Sequence, residues 1–370
     1  MLFGGNKAAL GFGCMRLPRE KKAVDCAEFE RMIDRYLDCG FRYFDTAHAY
    51  MRGQSEIALR ECLVKRHERS RFLLADKLTD TFFESRADIE PFFEQQLAAC
   101  GVSYFDVYLL HGLTAGIFGK FQRCGAFEVL EKLRDQGKIR HLGISFHDRA
   151  EVLDRILTAY PQIELVQLQI NYLDASDPGV QGLACRDVCL KHRKPILVME
   201  PCKGGSLIRL PEDAAAVFRE LGPNSPAYYA FHYVQELEGV EMVLSGMSNL
   251  QQLEENCALF RDGKRLGPAE RQAIEEVCRI YRAKDPVPCT ACSYCTEVCP
   301  MSVEIPFIFS CLNQKRIFRN WNQDYYYRYA VAEGKASACI RCGRCEARCP
   351  QHLPIRQFLE EAAKEFEKKK

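Results

Sequence analysis

Three things are scarce in this sequence, and each scarcity excludes something. Net charge is the first: 51 basic residues face 50 acidic ones, a formal charge of +1. Without a broad positive field, recognition of a nucleic-acid backbone or of an anionic membrane is not expected as the main activity. Long apolar runs are the second. No stretch approaches the roughly 18 apolar residues that span a bilayer, and no N-terminal run joins a basic segment to an apolar stretch and a small-residue cleavage site. The expected location is the cytoplasm, with neither membrane nor nucleic acid as partner. The third is a glycine-rich dinucleotide fingerprint. Gly11-Phe12-Gly13 runs into Cys14-Met15-Arg16, without the third glycine or the immediate helix, so an open doubly wound nucleotide-binding sheet is disfavoured.

What is abundant is cysteine: twenty in 370 residues. Disulfides rarely persist in a reducing compartment, so spacing decides what they do. Cys289, Cys292, Cys295 and Cys299 precede Pro300, and Cys339, Cys342, Cys345 and Cys349 precede Pro350, the same C-x2-C-x2-C-x3-C-P string twice. Three thiolates from one tight loop can grip three irons of a cubane while the fourth, a turn away, points elsewhere. Zinc sites use two separated ligand pairs and fit this density poorly.

The strings resemble those of bacterial two-cluster ferredoxins, the helical type more than the short hairpin type. In those proteins the fourth cysteine of each run ligates the other cluster. The resemblance implies one [4Fe-4S] cluster on Cys289, Cys292, Cys295 and Cys349, and a second on Cys339, Cys342, Cys345 and Cys299. The segment between the strings reads as helical from Pro306 to about Glu333. It interleaves Phe307, Phe309, Phe318, Trp321, Tyr325, Tyr326, Tyr327 and Tyr329 with Lys315, Arg316, Arg319 and Arg328. Base stacking is one use of such a pattern; packing over the clusters, with the cations solvated, is the expected one. A docking face for a ferredoxin-like redox partner is a further reading.

Upstream of Pro286, β-rich apolar runs alternate with amphipathic helical ones. The expected strands are Ala8–Met15, Phe41–Ala47, Arg71–Leu78, Phe105–His111, Ile139–Phe146, Leu165–Asn171, Pro195–Pro201 and Val240–Gly246. Eight strand-helix units of this length predict an α/β fold, a closed (β/α)8 barrel over residues 1–285, followed by a small, mainly helical domain over 286–370. Gly4-Gly5 is expected in a hairpin closing the barrel bottom, and Arg265–Lys284 in a final helix and linker.

In such barrels the reacting groups stand at the C-terminal ends of strands. Read in order, those ends carry Asp45 with Tyr50 just beyond, then Lys77, then His111. A tyrosine titrates near pH 10 in peptides, and a neighbouring ammonium eases its proton loss. Asp45 would keep Lys77 charged, Lys77 would support the Tyr50 phenolate, and His111 would orient a carbonyl oxygen. That set suits protonation of an alkoxide formed as hydride reaches a carbonyl carbon. Singly, each residue has a bland reading as cap, rim aromatic, surface charge or core imidazole; together at consecutive strand ends they point to catalysis.

At these residues the chain resembles the aldo-keto reductases. The match runs from Gly11-Phe12-Gly13 through Asp45-Thr46-Ala47-x-x-Tyr50, Gly53-x-Ser55-Glu56 and Gly137-Lys138-Ile139-Arg140 to Gly246-Met247-Ser248-Asn249 and Glu255-Asn256. The resemblance implies a catalytic tetrad of Asp45, Tyr50, Lys77 and His111, and NADP or NAD extended across the barrel mouth. It places the nucleotide along Gly13, Cys14, Met15 and Asp45, then Ser145 and Gln167 for the carboxamide. Met199, Glu200, Pro201, Cys202 and Gly204 follow, with Gly246, Met247, Ser248, Gln252, Glu255 and Asn256 around the adenosine phosphates. Two positions depart from the family's usage: Phe146 stands where asparagine is frequent, and Met199 where an aromatic stacks on nicotinamide. Gly246 and Gln252 stand where Lys or Arg often meets the 2′-phosphate, which leaves NADP against NAD open.

Both motif sets together resemble aldo-keto reductases that carry a two-cluster ferredoxin domain. Nicotinamide exchanges two electrons and a cubane one, so exchange between them calls for an intermediary such as flavin, for which the sequence carries no motif. Three functions stay open. The first is a nicotinamide-dependent carbonyl reductase or alcohol dehydrogenase with a small-molecule substrate and electron-carrying clusters. The second is a ferredoxin-linked oxidoreductase whose clusters feed the barrel, and the third a non-catalytic electron-transfer protein. The clusters also serve either as staples of a segment poor in aliphatic core or as a relay.

Overall fold

The computed structural model describes residues 8–21, 23–177, 180–320, 322–330 and 334–367, which group into two compact units. One runs to Pro201 and resumes over Phe231–Arg265; the other comprises Cys202–Ala230 and Leu266–Lys370.

The strands are β1 (Ala9–Gly13), a small antiparallel hairpin of β2 (Arg19–Glu20) and β3 (Ala23–Val24), β4 (Tyr43–Asp45), β5 (Leu73–Leu78), β6 (Phe105–Leu113), β7 (Ile139–Phe146), β8 (Leu165–Gln169), β9 (Ile196–Met199) and β10 (Val240–Ser245). All but β2 and β3 pair in parallel in the order β1, β4, β5, β6, β7, β8, β9, β10, and β10 returns to β1, closing the barrel. The eight expected barrel strands all form. The β2–β3 hairpin was not foreseen, because two residues per strand show no alternation. The expected hairpin at Gly4-Gly5 lies outside the described residues. β6 runs two residues past its expected end through a register shift between Leu110 and Leu113, where Gly112 takes φ +66°. Such bulges re-aim side chains near active sites.

Alternation along the strands sets what points inward. Tyr43, Ala75, Val107, Leu109, Leu165, Leu197, Met242 and Leu244 form one interior cluster. Large side chains there leave room for only a glycine at some neighbours: a Cβ on Gly143 would lie 2.7 Å from Leu109 Cδ2. Two residues on along each strand, Tyr43 leads to Asp45, Ala75 to Lys77 and Leu109 to His111, so those three share the inward face near the mouth. The outward residues meet helices such as Cys26–Asp38, which buries Phe29, Met32, Ile33, Tyr36 and Leu37 and is capped by Asp25 accepting from Glu28 N at 3.0 Å.

In the second unit the helix Glu212–Leu221 lies against Pro268–Arg282, within the stretch read as a final helix. Beyond it, Val287, Val303, Ile305, Ile308, Phe309, Leu312, Tyr327, Leu353, Ile355 and Leu359 form a core that includes Cys295, Cys345 and Cys349. The stretch expected to be helical from Pro306 holds two helices, Ile305–Phe318 and Gln323–Ala330, because Arg319 ends the first in a left-handed conformation at φ 52°. Phe309 and Tyr327 are buried, whereas Phe307, Phe318 and Tyr326 are 37%, 39% and 54% exposed, so the aromatic insert is only partly core. Trp321 and the side chains of Tyr325 and Tyr329 lie outside the described residues.

Candidate active site and cluster loops

Lys77 is the centre of the barrel mouth. Its side chain is fully buried, and Nζ donates to Asp45 Oδ2 at 2.7 Å, to the Thr46 carbonyl at 2.7 Å and to Tyr50 OH at 3.1 Å. His111 Nδ1 lies 2.7 Å from Thr79 Oγ1, and its ring meets Tyr50 edge-on at 5.9 Å between centroids. The structure therefore brings Asp45, Tyr50, Lys77 and His111 together. Thr46 and Thr79 were missed by sequence reading, the first because it acts through its carbonyl, the second because it lies one residue past the expected strand end.

Tyr50 opens a tight turn in which Met51 and Arg52 take left-handed φ values of 53° and 57° before Gly53 leads into the helix Gln54–Leu59. Ser55 ties this turn down, its hydroxyl 2.7 Å from Thr46 Oγ1 and donating to Cys14 O at 3.0 Å. Burial, reinforced by the charge of Asp45, pushes the Tyr50 phenol well above its ordinary value. Lys77 was expected to ease proton loss, but burial of the ring outweighs it, which makes Tyr50 a held proton. Burial also lifts the Asp45 carboxyl, with Lys77 opposing.

Ser145 and Gln167 stand opposite each other on neighbouring strands β7 and β8, both buried. Ser145 Oγ lies 4.0 Å from Met199 Sδ, and Gln167 Oε1 is buried with no hydrogen-bond partner among the described residues. Glu200, at φ 56°, reaches Arg16 at 3.7 Å. Gly13 passes so near the β10 end that a Cβ would lie 3.3 Å from Ser245 O, and Cys14 is buried behind Met15. Past β10, Met247 is buried and Ser248 Oγ donates to Arg16 O at 2.8 Å. At the N-terminus of the helix Leu250–Arg261, Gln252 N bonds Asn249 Oδ1 at 2.9 Å and Leu250 N bonds Glu28 Oε1 at 2.9 Å. Asn256 Nδ2 donates to Ser245 Oγ at 3.0 Å, while Gln252 and Glu255 are exposed. Cys202 and Gly204 group with the second unit, where a Cβ on Gly204 would run into the Thr290 carbonyl.

The two cysteine strings fold alike. Ala291 and Arg341, Ser293 and Gly343, and Ser302 and His352 hold matching left-handed positions. The loops turn their N–H groups onto sulfur: Ala291 N on Cys289, Arg341 N on Cys339 and Val303 N on Cys299, each at 3.4 Å. Such bonds favour thiolates that ligate iron and tune a cluster's potential. Without iron, burial raises the Cys295 thiol, with Cys292, Cys289 and Cys349 adding to it in that order, and pushes Cys345 up to about 11. Dense, mutually repelling thiols are the donor set a soft, cationic metal cluster neutralises.

Comparison with known proteins identifies two regions. Residues 9–278 match the model of the aldo/keto reductase family, and residues 288–354 match a 4Fe-4S dicluster domain. An uncharacterized oxidoreductase of Bacillus subtilis is 24% identical over 74% of this chain and 94% of its own length. An aldo-keto reductase of Bacillus halodurans in its holo form superposes with a TM-score of 0.59 and 27% identity, covering 72% of this chain and 91% of that one. An aldo/keto reductase of Klebsiella pneumoniae, in complex with NADP and acetate, superposes at 0.60 with 18% identity, covering 73% and 90%. Among the described residues no helix is long and apolar enough to cross a membrane.

Proposed function

This chain belongs to the aldo/keto reductase family, and we propose that it interconverts carbonyls and alcohols with a nicotinamide nucleotide, using Tyr50 as proton donor, while residues 286–370 carry two [4Fe-4S] clusters for electron transfer. The observation that carries the reading is Lys77 Nζ held between Asp45 and Tyr50 in a fully buried site. The orphaned Gln167 Oε1 beside Ser145 fits the amide donor of a carboxamide. NADP is named with the Klebsiella relative's structure, so NADP(H) is the first nucleotide to try, beside NAD(H).

When bound, the nucleotide supplies or accepts hydride at the substrate carbon. The protein's part is the oxygen. His111, its ring fixed by Thr79, donates toward the carbonyl oxygen and orients it. Tyr50 OH gives its proton to the oxygen as negative charge develops there. Lys77 stabilises the phenolate left behind, and Asp45 with the Thr46 carbonyl holds the ammonium in place. In the alcohol-oxidising direction Tyr50 takes the proton back.

For the clusters we assign Cys289, Cys292, Cys295 and Cys349 to one and Cys339, Cys342, Cys345 and Cys299 to the other. Cys295, Cys345 and Cys349 share one core, which brings the two strings together as the crossing requires. When bound, each cluster exchanges one electron at a time.

The test uses full-length protein purified without oxygen. NADPH or NADH oxidation is followed with a panel of aldehydes and ketones, and cluster absorbance and paramagnetic resonance are watched without carbonyl. Tyr50→Phe should lower kcat by about 10²–10⁴-fold with nucleotide affinity nearly intact. Retained turnover removes Tyr50 as the acid. Cluster reduction by nicotinamide would join the two redox functions and start the search for a flavin or a partner.

A further inference from the structure

The outward side of β5, behind Lys77, holds a second polar cluster that the chemistry above does not use. Asp76, Glu56, Gln96, Cys100 and Tyr108 are all fully buried. Their placement follows from the shortness of β4. Along β5, Leu73 N bonds Arg42 O and Thr46 N bonds Ala75 O, so the odd-numbered residues of β5 face β4. By that alternation the N–H of Lys77 is next in line for the Thr46 carbonyl. The ladder is instead broken: β4 ends at Asp45, and Thr46 O accepts from Lys77 Nζ. The peptide groups of Lys77 are taken up from behind, its N–H by Asp76 Oδ1 at 2.7 Å and its carbonyl by Gln96 Nε2 at 3.1 Å.

Gln96, on the helix Arg86–Cys100, ties the cluster together. Its Nε2 also lies 2.9 Å from Asp76 Oδ1 and 3.3 Å from Glu56 Oε1, and its Oε1 accepts from Tyr108 OH. The groups facing Asp76 are Glu56 from the helix Gln54–Leu59, Cys100 Sγ at 3.7 Å from Oδ2, Gln96 from the same helix as Cys100, Tyr108 from β6, and Lys77 through its backbone. One oxygen of each carboxyl and the Cys100 sulfur lie within 4.8 Å of one another. The Gln96 amide occupies the place between the two carboxyls that a cation would take. His48 Nδ1, 2.7 Å from Glu56 Oε2, pairs with one carboxyl only. Two carboxylates this close and dry do not both ionise.

We propose that Asp76, Glu56 and Gln96 are positioning residues for Lys77. One proton kept on Asp76 and shared toward Glu56 leaves the pair a single negative charge, on the Glu56 carboxyl that meets His48, so that Asp76 and Gln96 can cap the Lys77 peptide and release the Thr46 carbonyl to the Lys77 ammonium. This rests on the assignment of Tyr50 and Lys77 above. Burial, then the charge of Glu56, hold the Asp76 carboxyl well above the ordinary carboxylate range, in keeping with a retained proton.

An amide is isosteric with a protonated carboxyl, which gives the test. In the iron-loaded full-length chain, Asp76→Ala and Gln96→Leu should lower kcat by about 10- to 100-fold with nucleotide KM little changed. Asp76→Asn should restore most of kcat, because it keeps an acceptor for Lys77 N and a donor toward Glu56. It should also remove any loss of activity that deprotonation of the pair causes at high pH. Two readouts do not depend on turnover. The infrared carbonyl band of a buried protonated acid should be present in the parent at neutral pH and lost in Asp76→Asn. Hydrogen exchange over Leu73–Leu78 should quicken in Asp76→Ala and recover in Asp76→Asn. Asp76→Asn as impaired as Asp76→Ala, full activity in Asp76→Ala, or no acid band in the parent overturns the proposal. Should Asp76→Ala not fold, the band and the Asp76→Asn pH profile decide. A parent that reduces no carbonyl, yet shows the band and the exchange pattern, refutes the function while sparing the network.

Discussion

Replacing Lys77 by methionine removes the charge and keeps most of the volume, which isolates electrostatics from packing. Lys77 and Asp45 have side-chain exposures of 0% and 3% and meet at 2.7 Å. Deleting one partner of such a buried pair costs about 3–5 kcal/mol, because the other is left as an uncompensated charge. Asp45 has an escape: burial already raises its pKa, so without the ammonium it takes up a proton, at about 1.4 kcal/mol per pKa unit. The lower end of the range is therefore expected, about 3 kcal/mol, which for a unit of this size is a drop of about 6–12 °C in Tm. In the double variant Asp45→Asn with Lys77→Met the stranded acid is gone, and most of that loss should return. Turnover should not return with it. Without the cation beside Tyr50, kcat should fall about 10²–10³-fold in both variants. The assay is thermal unfolding of the iron-loaded chain by circular dichroism, with visible cluster absorbance recorded in parallel to separate loss of the metal centres from loss of the barrel. A single variant melting within about 2 °C of the parent, or a double variant no more stable than the single, refutes the buried-pair account.

Other expectations test other parts of the molecule. Cys349→Ser should lower iron content by about half and damage the cluster held mainly by the first string; unchanged iron, measured chemically on the anaerobic protein, defeats the crossed assignment. Gly204→Ala places a Cβ against the Thr290 carbonyl at φ +63°, so the second unit should lose about 1–3 kcal/mol; an unaltered melting profile would show that the loop yields. The hydrogen bond that His48 donates to the Glu56 carboxylate raises the pKa of His48 from 6.5. A raised folded value means that its stabilisation is complete below about pH 6.5 and is lost as pH rises through that value. Melting temperatures of the parent and His48→Gln should converge above it, and a gap that widens with pH would contradict the pairing.

Much of the barrel mouth was legible because it depends on local order: an inward residue at a strand end is found by counting in twos from the interior cluster. Asp45, Lys77 and His111 obey that rule, and Tyr50 lies one turn beyond. The positioning network was not legible, because Glu56, Asp76 and Gln96 belong to three elements and meet only where β4 stops short. The break at Arg319 escaped notice because a lone arginine carries no left-handed signal. The grouping of Cys202–Ala230 with later residues rests on packing such as that of the helix Glu212–Leu221 against Pro268–Arg282, a contact between segments with no shared pattern. The proline at 286, read from the sequence as the start of the second domain, stands between the two regions matched by the family models.

Five of the six matching left-handed positions in the cysteine loops are not glycine: Ala291, Ser293, Ser302, Arg341 and His352. Each such residue costs roughly 1–2 kcal/mol in backbone energy. About 5–10 kcal/mol of distortion in all would be hard for so small a core to offset, and metal–thiolate bonding is what can offset it. Iron supply then acts as an inspector of newly made chains. A chain synthesised during iron starvation would expose residues 288–354 to proteolysis however well its barrel had folded, so the cell's content of this oxidoreductase should track iron availability even with transcription held constant.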